Sequence, residues 1–195
     1  MNAIRRFFDN RLGRGEAAIT VPILDGPLMP NALLDGAATF AAIPDVDNLA
    51  ATDKGLVCSS GGKVLKLGWA DSGEKTLVDF SSPVSAIAGG KGMLAIGLDG
   101  EGVILHGGEH DGKRFDGAGG NGPKHPTSLA FLDGTTLLAT EGSSERKAAD
   151  WRRDLMEKGR SGAVWRLDLA SGKASRILGG LGWAGGVATT GSQRI

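Results

Sequence analysis

The fold is decided by residues 87–106, Ile-Ala-Gly-Gly-Lys-Gly-Met-Leu-Ala-Ile-Gly-Leu-Asp-Gly-Glu-Gly-Val-Ile-Leu-His. An aliphatic-alanine pair (Ile87-Ala88) is followed by a glycine turn at Gly92. The apolar run Met93-Leu-Ala-Ile96 comes next, then a second apolar strand opened by Val103. The order recurs along the chain. Pairs stand at Leu49-Ala50, Ile87-Ala88, Leu129-Ala130 and Val187-Ala188, each with a glycine soon after, at Gly55, Gly92, Gly134 and Gly191. A second signature keeps step with them: Val64 opens Val-Leu-Lys-Leu, Val103 opens Val-Ile-Leu-His and Val164 opens Val-Trp-Arg-Leu. Two phased signatures recurring about every 40 residues mark a repeat architecture. Each unit reads as four short strands. In the first they fall near 48–52, 55–59, 63–67 and 75–80, with Gly61-Gly62 and Asp71-Ser-Gly73 as tight turns, since glycine tolerates positive φ. Four strands per unit predict an all-β fold, a β-propeller of four-stranded antiparallel blades. The units lack the 3.6-residue periodicity of a helical solenoid.

The third unit carries about 18 extra residues between Glu141 and Ser161. Ser143-Ser144 can cap a helix over 145–158 that stops at Gly159. Ala148, Trp151 and Leu155 share one face of it. That stripe either packs on the blade below or serves as a lid over a central channel. Blades at 47–80, 85–116 and 127–178, with a fourth beginning at 185, make about half of a six-bladed ring. The expectation is the N-terminal part of a longer propeller, with open blade edges that favour self-association. Residues 1–46 form the remaining segment. In 1–12, Ile4, Phe7, Phe8 and Leu12 have near-helical spacing, for a helix docked on the body or lying on a membrane surface. Residues 20–36 read as a closure strand.

Composition narrows the function classes. Glycine supplies 33 of 195 residues without a Gly-X-Y period, which excludes collagen. Twenty-two Lys+Arg balance 22 Asp+Glu, so no basic field recruits nucleic acid. Apolar runs are far too short for a transmembrane span. No secretory leader is evident, and Cys58 is the single cysteine, so no intrachain disulfide forms. A cytoplasmic location is expected.

Several segments resemble the strictosidine-synthase-like proteins: Pro27-Leu-Met-Pro-Asn31, Gly62-Lys-Val-Leu-Lys-Leu67, Asp150-Trp-Arg-Arg-Asp-Leu155 with Gly162-Ala-Val-Trp-Arg-Leu-Asp168, and Ile177-Leu-Gly-Gly-Leu-Gly-Trp-Ala-Gly-Gly-Val187. That family includes strictosidine synthase and the adipocyte plasma membrane-associated protein, and is similar to gluconolactonases (the SMP-30 type), regucalcin and paraoxonases. The resemblance covers about residues 26–195 and implies a six-bladed propeller. It implies a small-molecule hydrolase of esters or lactones, or a related condensing enzyme, acting in the central channel. A non-catalytic ligand- or protein-binding propeller, or an inactive fragment, is the alternative. The lactonase branch holds calcium at positions that match Asp47, Thr127 or its neighbour Pro126, and Gly185 here. Only Asp47 retains a carboxylate, so neither a tight calcium site nor any other cofactor is expected. The family's catalytic glutamate lies in a late blade, which places catalysis beyond Ile195.

The candidate channel-mouth residues are Asp47, Asn48, Thr127, Glu141, Trp151 and Gly185, and the expected partner is a small-molecule substrate or ligand. Glu141 reads as a general acid/base or as a cap on the following turn. Gly117-Ala-Gly-Gly-Asn-Gly122 matches G-x-G-x-x-G, but Pro123 and Pro126 follow in place of a helix, so it reads as a loop. His106, His110 and His125 read as loop residues rather than a metal set. Asp45-Val-Asp47-Asn48 lacks the glycine and glutamate of a calcium loop. Cys58 reads as buried, and Trp165 and Trp183 as packing between blades.

Overall fold

Short apolar strands separated by glycine turns build three four-stranded sheets, each from one sequence repeat. A computed structural model describes residues 35–68 and 73–190. The helix expected over 1–12, most of the closure strand, and Asp71 and Ser72 of the expected Asp71-Ser-Gly73 turn lie outside them. The chain divides into two units, Met1–Phe40 and Ala41–Ile195, and every described strand belongs to the second.

The first sheet runs β1 (Val46–Thr52), β2 (Gly55–Ser60), β3 (Lys63–Leu67), β4 (Glu74–Asp79). The second runs β5 (Val84–Gly90), β6 (Met93–Leu98), β7 (Gly102–His106), β8 (Arg114–Asp116). The third runs β9 (Pro126–Phe131), β10 (Thr136–Glu141), β11 (Gly162–Asp168), β12 (Ala174–Leu181). Within each sheet the strands follow chain order and pair antiparallel. The aliphatic-alanine pairs at 49, 87 and 129 all fall on first strands. The G-x-G-x-x-G stretch is the connection between β8 and β9, with no helix after it.

The sheets pack face to face in sequence order, because strand alternation gives the second sheet two apolar faces. Ile87, Ile96 and Leu98 pack against Val57 and Val64 of the first sheet. Ala86, Ala95, Leu105 and Phe115 on the other face pack against Leu129, Leu137, Ala139 and Leu167 of the third. First strands lie beside first strands, β1 by β5 and β5 by β9. Gly89 shows how close they come, since a Cβ there would stand 1.9 Å from the carbonyl oxygen of Ala51. The three sheets do not close on themselves. The outer strand β12 leaves Ile177 55% and Leu178 53% exposed. No helix among the described residues is long and apolar enough to cross a membrane.

The insertion departs from its expected form. A single 3-10 turn (Ala148–Asp150) leads into one short helix, α1 (Trp151–Met156). Ser143 Oγ accepts from the backbone N–H groups of Glu145 and Arg146, which shapes a turn ahead of the helix rather than capping it. The stripe does not pack on a sheet either, since Trp151 and Leu155 are 40% and 44% exposed. Arg146 and Arg153 both grip Glu157, at 2.6 and 2.8 Å, so polar ties organise the segment.

Candidate functional site

Each first strand begins with an irregularity at the same place. The register skips between Val46 and Leu49, between Val84 and Ala86, and between Pro126 and Ser128, each time leaving one extra residue on the first strand. Such bulges turn a side chain out of the pleat and recur beside functional sites. Asp47, Ser85 and Thr127 each stand two residues before the aliphatic member of the pair, and Gly185 holds the same offset from Val187-Ala188.

These four equivalent positions converge. They line one cavity of about 530 Å³ together with Asn48, Asp99, Trp151 and Trp183, with Pro83, Val84 and Ala148 completing the wall. Five of the six expected channel-mouth residues (Asp47, Asn48, Thr127, Trp151, Gly185) are thus brought together, and Ser85, Asp99 and Trp183 join them.

One hydrogen bond repeats between the units. Ser85 Oγ donates to the carbonyl of Pro126 at 2.6 Å, and Thr127 Oγ1 donates to the carbonyl of Ala184. Each hydroxyl reaches the residue just before the next equivalent position. An ionised carboxylate cannot donate, so Asp47 breaks the series. Its Oδ2 accepts from Asn48 Nδ2 at 3.4 Å, while the same amide donates to Ser59 Oγ at 2.9 Å. Asp47 therefore brings an exposed carboxylate to the cavity.

Asp99, at the end of β6, brings the second carboxylate. His125, 3% exposed, sets its Nδ1 2.6 Å from Asp99 Oδ1. That bond holds the Asp99 carboxyl below its ordinary range, against the opposing effect of burial. The backbone N–H of Ala148 adds to the effect. His125 is thus no free loop histidine. His106 and His110 stand beside Asp111 and Glu109, at 3.6 and 3.3 Å.

Two tryptophans wall the cavity. Trp151 projects from α1, with the Arg152 guanidinium 4.9 Å above its ring. Trp183 sits at φ 48°, a left-handed conformation that strains a bulky residue. Gly142 permits this, because a Cβ there would come within 2.8 Å of indole Cε2. Trp183 thus serves the cavity as well as packing. Trp165 instead donates its Nε1–H to Glu141 Oε2 at 2.9 Å.

Glu141 does not line the cavity. It is 2% exposed, and its other oxygen accepts from the Lys124 backbone N–H at 2.7 Å. The carboxylate ties the 124–125 loop to β11, which is neither acid/base chemistry nor a cap on the insertion. Cys58 is fully buried, and burial pushes its thiol up, with Glu74 adding to the effect.

The residues present do not fit a lactonase-type calcium ion. Calcium takes about 6–8 oxygens. Here Asp47 supplies the one exposed carboxylate of the cavity, one Asp99 oxygen is taken by His125, and Gly185 offers no side chain. No three His, Cys, Asp or Glu side chains gather in a metal-holding group among the described residues.

No family model matches the sequence. No curated protein matches it either. Among solved structures, a chain of an S. cerevisiae assembly of Dbp5 bound to Nup159, Gle1, IP6 and ADP is 13% identical, with a TM-score of 0.29 over 70% of this chain. The protein spans about half of that chain (48%), and at this TM-score the two folds are not shown to be the same.

Proposed function

We propose that the three sheets are consecutive blades of a strictosidine-synthase-like β-propeller whose channel mouth binds a small organic molecule and hydrolyses an ester or lactone. The convergence of Asp47, Ser85, Thr127 and Gly185, equivalent positions of successive repeats, on one cavity carries this reading. A ring of repeats presents equivalent positions to a common axis, and a ligand on that axis touches all of them. Trp151 and Trp183 give the cavity apolar walls, and the exposed Asp47 carboxylate is its available base. In this reading Asp47 takes a proton from water, the oxygen adds to the acyl carbon, and the expelled alkoxide recovers that proton.

A second reading, binding without catalysis, is favoured by one observation. The Ser85 and Thr127 hydroxyls are tied to carbonyl oxygens rather than to a base, so neither is an activated nucleophile. The test is a panel of aryl esters and lactones, followed by turnover and by tryptophan fluorescence, with Asp47→Asn beside the natural protein. Hydrolysis lost in D47N with fluorescence-detected binding kept supports the first reading. Binding without turnover supports the second. No binding across the panel overturns both.

A further inference from the structure

A second cavity, sharing no residue with the first, lies between the first and second sheets and encloses about 270 Å³. Strand alternation makes its chemistry unexpected. Ala50, Val57, Lys66 and Lys75 form one continuous row across β1 to β4. Val64, two residues before Lys66, shares its face and is fully buried in the core between the sheets. Period-two patterning calls for an apolar side chain at 66. A half-buried lysine stands there instead, with Lys75 directly opposite. Like charges facing each other across a strand pair are destabilising. No ion pair between described residues involves Lys54, Lys66 or Lys75, so nothing described offsets that repulsion.

The lining completes the picture. Lys54, at the β1–β2 turn, adds a third ammonium group, and His106 stands on the second-sheet wall. Val57 and Leu94, 2% and 5% exposed, give an apolar floor. Asp53 is the one carboxylate of the lining, exposed at the tip of the same turn. We propose that this groove binds a small organic anion with an apolar body, its carboxylate or phosphate head on Lys66 and Lys75 and its hydrocarbon on Val57 and Leu94. The anion relieves the opposed pair, and the volume suits a ligand near the small end of the range that pockets hold.

Calorimetric titration of the full chain tests this with hexanoate, hexyl phosphate, inorganic phosphate and hexanol. Saturable binding of either amphipathic anion is expected, with inorganic phosphate and hexanol weaker by about tenfold or more. The tighter of the two anions identifies the head group. Lys66→Met and Lys75→Met should each weaken binding about tenfold, and added salt should weaken it as well. Lys75 is exposed on the edge strand, so K75M decides the matter if K66M does not fold. The proposal is overturned if neither anion binds, if hexanol binds as tightly, or if K75M leaves affinity unchanged. Self-association rising in K75M without any anion binding would assign the lysines to protection of the sheet edge.

Discussion

Replacing Asp99 by alanine removes the acceptor of a buried, charge-assisted bond to His125. His125 Nδ1, in a side chain 4% exposed, would lose a partner 2.6 Å away. Hydrogen bonds to charged groups contribute about 1.5–3 kcal/mol net. In a unit of this size that lowers Tm by roughly 3–12 °C. The pH dependence has a defined sign. The folded pKa of Asp99 lies below the unfolded value of about 3.9. Its stabilisation is therefore complete above that value and is lost as pH falls through the lower, folded pKa. Thermal melts followed by circular dichroism should show a wide gap between natural protein and D99A at pH 7, closing only in strong acid. Asp99→Asn, which keeps an acceptor without the charge, should fall between them. Melts of D99A and natural protein within a degree at pH 7 would refute the assignment of this pair as a buried tie between the second and third sheets.

Glu141→Gln presents an amide donor to one of two N–H groups that now meet carboxylate oxygens, and should cost about 1–3 kcal/mol by urea unfolding. Gly89→Ala drives a methyl into the Ala51 carbonyl and should destabilise by about 3 kcal/mol or more, read as lost near-UV dichroism at moderate temperature. Cys58, buried and with a raised pKa, should resist a thiol-specific disulfide reagent at neutral pH and react only at the rate of unfolding.

The repeat was legible because glycine turns and apolar pairs are local signals. Strands expected at 55–59 and 63–67 appear at Gly55–Ser60 and Lys63–Leu67. The long helix of the insertion was not legible. The spacing of Ala148, Trp151 and Leu155 exists, but no sheet receives that stripe, and Asp154 is the buried side chain of α1. Without a tertiary partner, periodicity alone does not extend a short helix. Ser85 carries no local signal, because serine there matches no expected ligand. Only its offset from Ile87, the same as that of Asp47 from Leu49, marks it. Asp99 and His125 stand 26 residues apart, and the packing of second sheet on third joins them, so no local pattern announces the pair. Lys66 and Lys75 look like ordinary surface lysines until the β3–β4 register sets them opposite each other.

The most direct test of the proposed binding site is a titration of amide chemical shifts in the isotopically labelled chain with the tightest-binding ester or lactone from the panel. The amides of Asp47, Ser85, Thr127 and Gly185, distant in sequence but equivalent in the repeat, should shift together along one binding curve, with the Trp151 and Trp183 indole N–H signals following it. Shifts confined to one sheet, or spread over surface residues with differing midpoints, would contradict the proposed site.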